Sequence, residues 1–263
     1  MSPPQDVGDQ ALLGQAGAGG GSNIDDTDLK CYWRFNEASG DIINQSESSE
    51  DLGSSADLQI TGATYETGSP PLGNALYFAD LDKGVAGSSL SDWDFMHSTD
   101  ATWTIAFWYR CVSFAGNEMA FFNTSQINNA RGFCVKTVTF KTGLTLTQFN
   151  GASSSSQYTA CPTTDDYIPD TTSWHFYVVM RDQASDTTTF RRDDANEETP
   201  TNEISGISPT NGNCAMAHHV CRKAGYTEMW NDGYFSETSI WDKIMSAEDQ
   251  TTLYNGGSGL AIY

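Results

Sequence analysis

Asp80 and Asp82 stand two residues apart just beyond the apolar segment NALYF, and a second pair, Asp92 and Asp94, follows in SDWDFMHS. Calcium takes six to eight oxygen ligands, and two such loops could supply several. Asp80 and Asp82 are therefore candidate calcium ligands, against the plainer alternative of loop solvation and turn capping. Cys214, His218, His219 and Cys221 bring four metal-capable side chains into a C-x3-HH-x-C run. Structural zinc sites draw on two separated knuckles, and this spacing fits none of them, so a local disulfide or plain loop residues compete with a metal. Carbohydrate recognition needs aromatic platforms flanked by polar side chains. Trp93, Trp108, Trp230 and several tyrosines are available for it, with Trp93 the tryptophan least expected to be fully buried.

Catalytic chemistry finds less. A glycosidase needs two carboxylates facing each other across a sugar, whereas NEISG and NEMAF carry one each, Glu203 and Glu118. Four histidines without defined partners nominate no Ser-His-Asp triad, and there is no G-x-S-x-G elbow or phosphate-binding loop. The chain reads as a non-enzyme, with a glycoside-hydrolase-like activity as the remote alternative.

The 263 residues include 34 acidic and 13 basic ones, a formal charge of -21. Such a field repels nucleic acid and anionic membranes, so neither is an expected partner. It suits solubility, cation binding or docking on a basic surface. The N-terminus has neither a basic nor an apolar leader region, and no stretch reaches transmembrane length, so a soluble chain made in the cytoplasm is expected. That compartment favours thiols for the six cysteines. Cys31 and Cys111 fall in phase with core-facing residues, while Cys134 with Cys161, or Cys214 with Cys221, remain possible disulfides.

The elements that must position these residues are strands. TWTIAFWYRC, from Thr102 to Cys111, alternates so that Trp103, Ile105, Phe107 and Tyr109 share one face, and Thr104, Ala106, Trp108 and Arg110 the other. It has no Gly or Pro and is rich in aromatic and β-branched residues, which predicts an interior strand. LKCYWRF, DLQITGATYE, ALYFA, EMAFFNTS, RGFCVKTVTF and GLTLTQFN read as further strands, the last three as a meander. WHFYVVMRD and TTTFRRDD form a hairpin across a short turn. LDKGVAGSSLSDWDFMHSTDA and QYTACPTTDDYIPDTTS read as loops. One helix is signalled near the C-terminus: Ser246 with Asp249 makes a capping box, and Gly256 and Gly257 close the segment. Residues 1–28, with paired prolines, GQAGAGGGS and IDDTD, read as an extended arm, and 29–263 as the domain. Strand upon strand with one short helix predicts an all-β, antiparallel two-sheet sandwich.

CYWRFNEASGDIINQS, GNALYFA, ATWTIAFWYR, SWHFYVVMRD and GYFSETSIWDKIMSAEDQTTLYNGGSG, in that order, resemble the laminin-G-like, concanavalin A-like jelly-roll family. The first and last blocks carry the resemblance most specifically. It implies two antiparallel sheets in jelly-roll topology with a concave face, and a final strand bearing an acidic residue before a short helix, at places matched by Glu237 and Ser246. It also implies a rim loop for calcium after ALYF, which Asp80 and Asp82 match loosely. The E-x-D-x-x-E run of related glucanases is missing. Family members include glycan-binding and adhesion modules and viral structural components. Two roles are therefore expected. In the first, a virion head decoration or fibre protein is held to other assembly proteins, as an oligomer, by the arm 1–28, and displays the jelly roll. In the second, a glycan-binding or adhesion module works at a cell surface or outside the cell. Surface glycans are candidate partners in both.

Overall fold

The alternation of TWTIAFWYRC becomes the centre of the molecule in a computed structural model. It describes residues 24–67, 71–79, 82–86, 91–113, 120–124, 131–137, 143–150, 157–160, 167–168, 170–200, 217–218 and 232–263. In chain order the strands are β1 (Leu29–Trp33), β2 (Leu58–Thr61), β3 (Thr64–Thr67), β4 (Asn74–Phe78), β5 (Lys83–Ala86), β6 (Thr102–Cys111) and β7 (Ala120–Asn123). They continue as β8 (Arg131–Thr137), β9 (Leu144–Asn150), β10 (Gln157–Ala160), β11 (His175–Asp182), β12 (Thr187–Arg192), β13 (Ala217–His218) and β14 (Gly233–Trp241). Helix α1 spans Ala247–Tyr254.

One sheet runs β12-β11-β6-β14-β4-β3, with β1 also on β14, and the other runs β10-β9-β8-β7-β13-β5-β2. The pairings are antiparallel in both. The architecture is thus the expected jelly-roll sandwich with one short C-terminal helix. DLQITGATYE divides between the sheets: β2 pairs with β5 in the second, and β3 with β4 in the first. The corner is at Gly62, whose φ of +89° and closeness to the Asp82 carboxylate admit only glycine without strain.

Strand β6 is covered on both faces. Trp103, Ile105, Phe107 and Tyr109 lie in the core between the sheets, as their phase predicts. Ala106 and Trp108 belong to a second apolar layer with Phe176, Val178 and Met180, closed by Met245, Leu253 and Ile262. Helix α1 forms that lid because its N-terminus is well capped. The Ser246 hydroxyl accepts the Asp249 N–H at 3.0 Å and donates to the Asp249 carboxylate at 2.9 Å. Asn255, left-handed at φ 47°, ends it one residue before the glycines that sequence alone assigns to the stop.

The β11–β12 hairpin pairs Asp182 with Thr187, and Asp182 accepts the Ser185 N–H at 3.0 Å in the turn. Lys83–Ala86 and Gln157–Ala160, expected in loops, are strands β5 and β10. Four residues give too short a period for sequence to separate strand from loop. Cys31 and Cys111 are buried thiols without a disulfide, as expected. Cys134 is buried too, and Cys161, Cys214 and Cys221 lie outside the described residues. The last residues assigned to the arm are held on the sandwich. Ile24 is buried in the outer apolar layer, Lys243 Nζ donates to the Asp25 carbonyl at 2.7 Å, and the Tyr263 hydroxyl donates to Asp26 at 2.7 Å.

Gly233 opens β14 beneath Tyr109, and a Cβ added there would sit 2.6 Å from the ring's Cζ. Tyr109 is only 1% exposed and cannot swing away. Gly233→Ala is expected to cost about 1–3 kcal/mol of stability through overpacking. Chemical denaturation would show it, and a variant as stable as the parent would mean that the β14–β6 registry is different.

Candidate functional site

The face of β6 that carries Trp108 also carries Arg110, one rung further along. Here the register aligns four side chains across the sheet. Arg110 is opposite Tyr234 of β14, and Tyr234 is opposite Tyr77 of β4. His175 of β11 pairs with Tyr109, so Trp174, one residue before it, comes level with Arg110. The outcome is a row Trp174–Arg110–Tyr234–Tyr77 on the outer face of the first sheet, all four side chains half-buried. The row stays uncovered by α1 for a simple reason. The helix ends at Tyr254, whose ring stacks on Trp108 at 5.9 Å, and the left-handed Asn255 turns the chain away.

Within the row the Arg110 guanidinium lies 4.2 Å over the Tyr234 ring and 5.6 Å from that of Trp174. Tyr77 and Tyr234 stand 4.8 Å apart, tilted by 34°, and Trp174 and Tyr234 are 6.3 Å apart. Carboxylates flank the row and are held by its phenols. Tyr234 donates to Glu66 Oε1 at 2.9 Å, and Tyr77 donates to Asp232, which also accepts from the Ser113 hydroxyl at 2.5 Å. Burial, then Asp232, raises the Tyr77 hydroxyl above its ordinary range, and burial with Glu66 raises that of Tyr234, so both stay protonated donors. Arg110 Nε and Trp174 Nε1 are buried without a hydrogen-bond partner. Ring faces, a stacked cation and flanking carboxylates make a surface that can stack on a flat apolar face and hydrogen-bond around its edge.

The tryptophans picked out from sequence lie elsewhere. Trp108 is 2% exposed, packed between Phe176 and Tyr254, and presents no face to a ligand. Trp93, against expectation, is wholly buried: it lies in a 3-10 helix, Ser91–Met96, and packs 6.5 Å from Trp33. The apolar body of the indole wins over its polar surroundings in the sequence. Trp230 lies outside the described residues, as does Asp80. Asp82 caps its own turn, accepting the Ala79 N–H at 2.9 Å. Among the described residues no three His, Cys, Asp or Glu side chains gather into a metal site, and Asp80, the other half of the calcium pair, lies outside them. Of the Cys/His run only His218 is described, pairing in β13 with Gly84 and Phe122. The remaining three residues lie outside.

Two histidines are fixed structurally. His97 is buried against the Thr124 hydroxyl at 2.7 Å, and burial lowers its pKa to about 4. His175 spends both ring nitrogens on carboxylates, Asp193 at 2.7 Å and Asp170 at 3.3 Å, which leaves it no nitrogen to activate a nucleophile.

Glu237 is the acidic residue that the resemblance places on the last strand. It is the extra residue of a bulge in β14, between Ser236 and Thr238, and has φ 40°. There β14 changes neighbour: Gly233–Phe235 pairs with β4, and Thr238–Trp241 with β1. Its carboxylate, 7% exposed, accepts the Tyr32 hydroxyl and faces Arg34 Nε at 3.4 Å, and Tyr32 in turn accepts the Ile262 N–H at 3.2 Å. Burial pushes its pKa up to about 7, with Tyr32 and Arg34 opposing. Through Tyr32 it ties β1 and Ile262 to β14.

No family model matches the chain, and no curated protein sequence matches it either. Solved structures do. A structure of botulinum neurotoxin type C, whose cell entry is described as dependent on two ganglioside molecules, aligns at TM-score 0.59 and 11% identity over 87% of this chain and 51% of that one. The binding domain of botulinum neurotoxin DC in complex with rat synaptotagmin II aligns at 0.60 and 11% over 87% and 51%. The serotype D binding domain aligns at 0.60 and 11% over 89% and 52%. The chain spans about half the length of these neighbours, and at such identities the likeness is one of fold. The shared fold is a two-sheet antiparallel jelly-roll sandwich.

Proposed function

We propose that this chain is a non-enzymatic glycan-binding module working at a cell surface or outside the cell, and that a sugar docks on Trp174, Tyr234 and Tyr77. The observation that carries the proposal is the aromatic row, which lies past the end of α1 and is left uncovered by that helix. The fold neighbours support it, being receptor-binding domains, one described with gangliosides and one with a protein receptor. They favour this role over the virion one. Attachment through an arm rests on residues of which 1–23 lie outside the description, and 24–28 are fastened to the sandwich itself.

The test is a glycan array with the full chain, followed by titration of the best ligands. Trp174→Ala and Tyr234→Ala are each expected to weaken binding about tenfold, the worth of one stacking contact. Both side chains also pack against neighbours, Trp174 on the outer apolar layer, so the fold of each variant is checked by its melting alongside binding. Binding that is indifferent to both substitutions, or no glycan bound at all, would remove the proposal.

A further inference from the structure

Resting on that reading of the row, we infer that it selects an acidic sugar, one bearing a carboxylate or a sulfate, with Arg110 as the anion anchor. Its situation sets Arg110 apart from the other half-buried or buried arginines described. Arg34 faces Glu237, Arg181 faces Asp186 at 2.7 Å, and Arg192 faces Asp193. Arg191 is held by the Asp193 and Ala247 carbonyls, Gln250 and Thr251. Arg110 lies against the Trp174 and Tyr234 rings and the Tyr234 hydroxyl, with no carboxylate ion pair among the described residues, in a chain where acidic residues outnumber basic ones 34 to 13. Glu66 and Asp232 flank the row, but the hydrogen bonds they accept come from hydroxyls, Glu66 from Tyr234 and Asp232 from Tyr77 and Ser113, rather than from the guanidinium.

The geometry favours an anion over a neutral hydroxyl. A guanidinium held beside aromatic rings offers a fork of donors that matches two oxygens of a carboxylate or sulfate. Arg110 Nε and Trp174 Nε1 both lack an acceptor. Buried donors without a partner are rare in folded proteins. Tyr77 and Tyr234 then serve the pyranose ring beside it.

The formal charge of -21 works against an acidic ligand at long range. That field is screened beyond about 8 Å at physiological salt, whereas a half-buried contact pair is screened much less. The two effects separate in their salt dependence. Raising ionic strength from about 10 mM to about 150 mM should speed association of an acidic sugar, opposite to an ordinary cationic site.

The experiment titrates the full chain with three oligosaccharides of equal length, one neutral, one with a uronate and one sulfated, at both salt concentrations. The parent is expected to prefer one or both acidic ligands by about tenfold or more, the scale of a charge-assisted hydrogen bond. Arg110→Gln should bring the acidic ligands down to the level of the neutral one. Arg110→Lys, which keeps the charge without the fork, should retain part of the preference and stands in if the glutamine variant does not fold. Which acidic ligand wins separates carboxylate from sulfate. Equal binding of neutral and acidic ligands by the parent, or a preference that survives Arg110→Gln, would overturn the inference while leaving the glycan-binding role intact. Failure to bind any of the three, after an array without hits, would overturn both.

Discussion

Trp108→Ala is expected to destabilise the protein by about 3–5 kcal/mol, the cost of emptying a large aromatic site that cannot collapse. The ring is 2% exposed, with Phe176 5.4 Å away on one side and Tyr254 stacked at 5.9 Å and 16° on another. It is the pivot on which α1 docks to the sheet, so its loss opens the outer apolar layer as well as leaving a cavity. Chemical denaturation gives the magnitude, and hydrogen exchange should show α1 amides losing protection before the strands do. A midpoint unchanged by the substitution would mean that the ring is exposed and the helix lies elsewhere. The contrast with Trp174→Ala is the useful part. One tryptophan holds the fold and the other is expected to hold a ligand, although they lie on the same face of one sheet.

The second large effect is a pH dependence centred on Glu237. Its pKa rises from the ordinary 4.5 to about 7 in the folded protein. Below pH 4.5 the carboxyl is protonated in both folded and unfolded chains. Between 4.5 and 7 the unfolded chain gives up the proton while the folded one keeps it, so stability falls as pH rises and levels off above 7. The full span is roughly 3 kcal/mol. Other groups need separating from it. His175, raised above its ordinary value by Asp193 and Asp170 against the effect of burial, loses stability with rising pH in the same sense. His97, lowered to about 4 by burial, has the opposite sign between 4 and 6.5. The lowered carboxylates Asp170 and Asp182 lose their contribution only in stronger acid.

Glu237→Gln isolates the contribution. The amide oxygen still accepts the Tyr32 hydroxyl, but no buried charge forms. The variant is expected to melt several degrees above the parent at pH 8, roughly 5 °C for a chain of this size, and together with it at pH 4.5. Parallel melting curves across that range would remove the assignment.

Much of this fold could be read from local pattern. The two-residue period of TWTIAFWYRC placed Trp103, Ile105, Phe107 and Tyr109 towards the second sheet, where they are. The short Asp182 to Thr187 return and the Ser246–Asp249 cap also lie close together in sequence, and both form as expected. The short strands β5 and β10 did not show, because such elements gain their energy from distant partners: β5 becomes a strand only between β2 and β13.

The site was least legible. Period alone put Trp108 and Arg110 on one face, and nothing local said that α1 would cover the first and stop before the second. Trp93 looked exposed because its neighbours are polar, and only the packing of Trp33 against it shows otherwise. The sequence by itself determined the longer strands, the faces of β6 and the helix cap. Tertiary structure alone brought Tyr77, Arg110, Trp174 and Tyr234 level and turned Glu237 into a buried bulge. Strand register is a long-range choice made by the whole sheet, and it sets which side chains become neighbours across the strands.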